Sequence, residues 1–211
     1  MAVPLDDAAL VRAAQSGDRG ALDQLFRRHY DRVFGVCRRI TGNDADAADA
    51  TQEAMIAMVR GLPRFDGLAS FSTWAYRVAT NASLDELRRR RRRPLVSGRE
   101  HLHDQGSDGQ ESADPRSGER IEQLGNRELI DVALAALPED FRVAVVLRDI
   151  ADLDYAEIAA ILDVPVGTIK SRIARGRGML AATISQTDGN RQGASERPTT
   201  AHDEPEVRRD D

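Results

Sequence analysis

The chain has 211 residues, 41% hydrophobic, 4% aromatic and 31% charged, with a formal net charge of −5 and a single cysteine. That length gives one or two small domains, and the scarcity of aromatics leaves Leu, Val, Ile and Ala to build the cores. Lone Cys37 excludes an internal disulfide and a cysteine-based zinc site, and with no membrane-spanning run or secretory signal legible the expectation is a protein of the reducing cytoplasm; a mildly acidic total excludes a simple nucleic-acid coat protein.

Residues 1–62 read as helices. Leu5 to Gln15 is a short one, and Asp18 can cap the next, in which Leu22, Leu25, Phe26, Val33, Phe34, Cys37 and Ile40 share a face. Cys37 on that face is a small buried hydrophobe rather than a redox switch. His29 and Tyr30 near the helix edge read as packing or surface residues. Thr41-Gly42-Asn43 is a turn. In the following helix Asp44, Asp46, Asp49 and Glu53 are unaccompanied by any base. Asp49, Gln52 and Glu53 fall on one side by helical spacing, and Ala54, Met55, Met58, Val59 and Leu62 on another. Spacing alone makes this a solvated acidic face near a helix N-terminus, where acids are favoured.

Phe65 to Ser70 is a loop punctuated by Pro63 and Gly67. The helix expected from Phe71 to Arg93 has an apolar face (Phe71, Trp74, Ala75, Val78, Ala82) and a polar stripe (Thr73, Arg77, Thr80, Asn81, Arg88). It ends in the consecutive arginines Arg88 to Arg93, which are either a solvated basic tail or phosphate contacts; the neighbouring aromatic loop favours the second. Pro94 to Glu122, with seven acids against three arginines, has the composition of a flexible acidic linker.

Leu124 to Leu137 and the segment opened by Pro138-Glu139 are helical. DYAEIAAILDVPVGTIKSRIARGR, Asp154 to Arg177, then reads as two helices joined by a tight turn. Asp154 and Glu157 form a capping box, and Pro165 ends one helix and opens the next. Ile169, Ile173, Met179 and Leu180 carry an apolar stripe. Lys170, Arg172, Arg175 and Arg177 lie between them with no acid from Val166 to Gly178. A short helix, a turn and a basic helix make the pattern whose second helix enters the major groove. Past Ile184 the chain loses its periodicity and reads as disordered.

The wording LPEDFRVAVVLRDIADLDYAEIAAILDVPVGTIKSR (Leu137 to Arg172) closely resembles region 4 of sigma-70-type transcription initiation factors. Asp163 stands where relatives commonly have glycine; aspartate tolerates the left-handed conformation, so the same turn is expected, slightly strained. DADAADATQEAM (Asp44 to Met55) and RFDGLASFSTWAYRVATNASLDELRRR (Arg64 to Arg90) resemble region 2 of the extracytoplasmic-function (group 4) sigma factors. The two blocks stand in the family's order. More narrowly, the likeness points to an actinobacterial SigM-like member. Ala50, Met55 and Val59 replace larger residues often found in the family's polymerase-binding helix, which implies looser packing there.

The resemblance implies an all-α fold of two small domains: residues 1–93 as region 2, 94–122 as a linker threading near the polymerase active site and RNA exit, 123–185 as region 4, and 186–211 as a disordered tail. It implies core RNA polymerase binding by Asp46, Asp49, Gln52, Glu53 and Met55. The −10 element falls to Phe65, Asp66, Ser70, Thr73, Trp74, Arg77, Asn81 and Arg88, and the −35 duplex to Thr168, Lys170, Ser171, Arg172, Arg175 and Arg177. The implied partners are core RNA polymerase, promoter DNA and an anti-sigma factor, to which Met55 and Met58 offer an adaptable apolar contact. No cofactor, metal, small-molecule substrate or catalytic constellation is expected. The runner-up is a stand-alone helix-turn-helix regulator, which has no need of the acidic helix or the aromatic loop. A helical enzyme would need a pocket that the sequence does not suggest.

Overall fold

A computed structural model describes residues 6–92 and 128–195, with side chains as far as Gln186. Arg93, the linker expected at 94–122, His101, His103, His202 and the end of the tail lie outside the described residues. Among the described residues every regular element is helical. A first bundle contains α1 (Asp7–Gln15), α2 (Arg19–Thr41), α3 (Asp44–Gly61) and α4 (Phe71–Arg92). A second contains α5 (128–135), α6 (Glu139–Val145), α7 (Tyr155–Leu162) and α8 (Val166–Ser195).

Local chemistry sets most helix starts. The carboxylates of Asp6 and Asp18 and the amide oxygen of Asn43 each accept a backbone N–H in the first turn of α1, α2 and α3, satisfying donors that the helix itself leaves free. His29, expected at the edge, is buried and lies 2.7 Å from Asp7. Burial alone would raise the Asp7 pKa, but hydrogen bonds from Arg28 and His29 outweigh it and hold the carboxyl below its ordinary range. Tyr30 is exposed and stacks on Phe34.

In the first bundle Ala47, Ala50 and Ala54 are fully buried and let α3 lie close against its neighbours. The looser packing expected at Ala50 is not what is found, since Ala50 is closed in, while Val59 is 47% exposed. Met58, expected to be an exposed contact, is 1% exposed in the core. Thr80 leaves the polar stripe: it is buried, and its hydroxyl donates to the carbonyl of Tyr76, one turn back, at 2.7 Å. Such back-bonding satisfies a hydroxyl without solvent.

The second bundle departs from expectation in two places. After α6 the chain widens into a π turn, Val146–Ile150, closed by the N–H of Ala151 donating to Val146 at 3.1 Å. And α8 does not stop near Ile184 but runs to Ser195; no proline interrupts it, and proline is the residue that helix interiors refuse.

The two bundles share one hydrophobic cluster. Val36 and Ile40 of α2 with Tyr76 and Leu87 of α4 are buried together with Leu134, Leu137, Val143, Leu147 and Ile158. Arg38 and Arg39 both pair with Asp131, and Arg91 pairs with Glu139 at 2.6 Å.

Within the second bundle α8 crosses α6 at Gly176. A Cβ there would lie 2.6 Å from Cγ2 of Val145 and 3.3 Å from the carbonyl oxygen of Phe141. Gly176→Ala is expected to destabilise the chain by about 1–3 kcal/mol through overpacking, read as a lower urea midpoint at unchanged m-value. Unchanged or higher stability, which helix propensity alone would give, would contradict this close approach.

Candidate nucleic-acid interface

The helix-turn-helix forms as its residues dictate. The Asp154 carboxylate accepts the N–H of Glu157 at 2.8 Å, and the Glu157 carboxylate accepts the N–H of Asp154 at 2.9 Å. Asp163 adopts φ 52 and ends α7 in the left-handed region, as expected for the residue in glycine's place. Ile169 and Ile173 are buried and fix the roll of α8. Lys170, Ser171, Arg175 and Arg177 are thereby exposed, with Thr168 and Arg172 half-buried beside them. Arg148 and Lys170 both lie over the ring of Tyr155, at 5.3 and 5.8 Å from its centroid.

Two of the basic side chains are already engaged. Arg172 donates to Asp140 at 2.8 Å, and Arg177 pairs with Asp149, which raises the arginine's pKa further. Neither acid neighbours its arginine in sequence, so the one-sided charge of the recognition helix overstated how many free cations it offers.

In the first bundle Phe65, Phe71 and Trp74 form an aromatic cluster with centroids 5.1 to 6.1 Å apart. Gln15, which had no expected role, fixes the loop: its side-chain amide donates to the carbonyls of Leu62 and Phe65 at 2.9 and 2.8 Å. Asp66 accepts the N–H of Leu68, and Ser70 accepts the N–H of Thr73 to start α4. Between them Gly67 at φ 73 takes a conformation that side chains resist. It leaves Leu68 91% exposed, a second residue without an expected role; its signal was an apolar side chain next to the glycine of a polar loop. Arg77, Asn81 and Arg88 are exposed along α4, Arg88 paired with Asp85.

The second bundle roofs this loop. Thr73 donates to Glu157 at 3.0 Å, and α7 closes a cavity of about 400 Å³ lined by Phe65, Asp66, Leu68, Thr73, Trp74, Arg77, Glu157 and Ile161. Six of the eight expected −10 residues thus stand in one neighbourhood, Phe65 to Arg77, while Asn81 and Arg88 lie farther along the helix.

On α3, Asp49, Gln52 and Glu53 are exposed side by side and Met55 is half-buried against the core. Asp46 is not a free acid: it is 15% exposed, accepts from Asn43 at 2.8 Å and pairs with Arg90 at 3.1 Å. Its role in the first turn of α3 removes it from the exposed acidic face.

The sequence model of sigma-70 region 2 matches residues 25–93, and that of sigma-70 region 4 matches residues 127–180. The ECF RNA polymerase sigma-E factor of Escherichia coli strain K12 is 36% identical over 181 residues, covering 84% of this chain and 93% of the relative. The Haemophilus influenzae sigma-E factor is 35% identical over 188 residues, covering 87% and 98%. Among solved structures, CnrH in complex with the cytosolic domain of CnrY aligns with a TM-score of 0.59 at 24% identity, covering 85% of this chain and 97% of that one. RpoE in complex with the anti-sigma factor NepR, from Bartonella quintana, aligns at 0.58 and 20%, covering 78% and 96%; these two speak for the fold. The chain belongs to the extracytoplasmic-function group of the sigma-70 family. It is an RNA polymerase sigma factor, a transcription initiation factor that binds DNA. Among the described residues no helix is long and apolar enough to cross a membrane.

Asp140 and Asp149 hold Arg172 and Arg177 in ion pairs that any other ligand of these arginines must displace. Exposed pairs of this kind are worth about 0.2–1 kcal/mol each, so Asp140→Asn with Asp149→Asn is expected to tighten duplex binding by roughly twofold to thirtyfold in fluorescence anisotropy. Weaker binding would mean that the pairs pre-orient the arginines instead.

Proposed function

We propose that α3 docks on core RNA polymerase, that the loop 65–70 and α4 hold the melted −10 strand, and that α8 reads the −35 element as duplex. One observation carries the reading. Asp49, Gln52 and Glu53 stand exposed with no ion pair among the described residues, whereas the neighbouring Asp44 and Asp46 are spent on Arg38 and Arg90. An unspent acidic face flanked by exposed Ile56 and Val59 suits a basic partner surface with an apolar centre. Cytoplasmic location follows from that partner.

On the −10 side the aromatic cluster offers a platform for an unpaired base, exposed Leu68 a wedge against the stack, and Arg64 and Arg77 charge for the strand. On the −35 side Thr168, Lys170, Ser171 and Arg172 sit early on α8, where base edges are read, and Arg175 and Arg177 sit where phosphates pass. An anti-sigma factor is the proposed regulator. The solved RpoE structure holds an anti-sigma factor, NepR, and this chain's two bundles offer a seam that a partner can enter only by parting them. Ile56 and Val59, rather than Met58, supply its apolar contact on α3. We propose, from the sequence resemblance, a SigM-like placement within the group. A phylogeny grouping the chain with proteobacterial sigma-E factors would contradict that placement.

Asp49→Lys with Glu53→Lys is expected to weaken core polymerase binding in a pull-down by about tenfold or more, since like charges across an interface cost several kcal/mol, with helicity unchanged because both sites are exposed. Undiminished binding would contradict the docking face. Asn81→Ala is expected to slow open-complex formation, followed by permanganate reactivity, while leaving −35 duplex affinity within about twofold. Equal losses in the two assays would contradict the strand-holding role.

A further inference from the structure

Arg142 is a buried cation with no carboxylate paired to it among the described residues. It is 9% exposed. Its Nη1 donates to the carbonyl of Ala135 at 3.1 Å, and its Nε is buried without a hydrogen-bond partner. A buried guanidinium that touches no carboxylate is costly, because desolvation penalises the charge and nothing adjacent repays it. Its pKa is lowered accordingly, by burial first and by the neighbouring charges of Arg90 and Arg91, with Glu139 pulling the other way.

The side chain lines a cavity of about 500 Å³ at the junction of the two bundles, walled by Thr41, Gly42, Leu87, Arg90, Arg91 and Ala135. The volume is that of a small-molecule pocket. Three guanidiniums reach it from two directions, Arg90 and Arg91 from the end of α4 and Arg142 from α6. The outer two carry carboxylate partners at the rim, Asp46 at 3.1 Å and Glu139 at 2.6 Å. Both arginines are well exposed, so those pairs are weak and exchangeable.

We propose that this junction binds a small phosphorylated anion bearing two or more phosphate groups. Arginine forks match phosphate oxygens bidentately. A diphosphate would bring negative charge among three cations. A duplex is too wide for a recess of this volume, so the class is a free phosphate compound rather than a nucleic acid. Because its ligands come from both bundles, the anion would hold α4 against α6. Its effect on promoter capture rests on the −10 reading above; its binding does not.

The test is calorimetry on the full chain with sodium pyrophosphate at physiological salt, without DNA or polymerase. One saturable site per chain is expected. Arg90→Gln and Arg91→Gln, both at exposed positions that folding tolerates, are each expected to weaken it at least tenfold, and Arg142→Gln to abolish it. Arg27→Gln, on the exposed side of α2, controls for net charge and should change nothing. A parallel titration with ATP separates the sources: tighter binding than pyrophosphate assigns the site to a nucleotide, and equal binding to the free diphosphate. Absence of saturable heat, an equal loss in Arg27→Gln, or displacement of pyrophosphate by unrelated duplex DNA would overturn the proposal.

Discussion

Val36 and Ile40 lie on a helix whose other buried hydrophobic residues belong to the first bundle's core, yet both join one buried cluster with Leu134, Leu137, Val143 and Leu147 of the second. Tyr76 and Leu87 of α4 extend the same seam. Fully burying an aliphatic side chain is worth about 1.5–3 kcal/mol, so a few such residues supply several kcal/mol against the entropy of joining two tethered domains. The ion pairs around Asp131 and Glu139 border the seam and set its register rather than its strength. Everything notable about the site depends on this contact. It brings α7 over the aromatic loop, lets Thr73 reach Glu157, and gathers the arginines of α4 around Arg142.

The same contact explains why so many cations are paired. Arg88, Arg90, Arg91, Arg172 and Arg177 each meet a carboxylate of the chain. Each acid occupies a place that DNA or a small anion is proposed to take, and each pair is weak enough to exchange. Binding DNA or a small anion then replaces one set of charge contacts by another instead of creating attraction from nothing. That dampens non-specific association, which otherwise grows with every unpaired arginine. The face proposed for polymerase differs, because Asp49 and Glu53 have no such partners among the described residues.

What the sequence made legible was local. Asp18 and the Asp154–Glu157 box announce their caps within three residues, and Asp163 announces its left-handed turn by standing where relatives commonly carry glycine. The fold class and the order of the two blocks followed from the resemblance to sigma-70 regions 2 and 4. What stayed hidden depends on partners far along the chain. Nothing near Asp46 signals Arg90, nothing near Arg177 signals Asp149, and the polar stripe of α4 gave no sign that Thr80 turns its hydroxyl back to Tyr76. The apolar face of α2 was read as serving one core, since helical spacing shows that a residue is buried but not against what; Val36, between that face and the solvent, belongs to the second. The length of α8 was missed because past Ile184 the helix has no apolar stripe and so carries no periodic signal.

The central claim is that the free chain is closed, with the second bundle seated on the first. The most direct measurement is the distance between spin labels at Gln24→Cys and Ala174→Cys, both exposed positions, one in each bundle; buried Cys37 is shielded from labelling. The account predicts one narrow distance population in the free protein, replaced by a longer one when core polymerase is added. A broad distribution in the free protein, or one that core polymerase leaves unchanged, would contradict it.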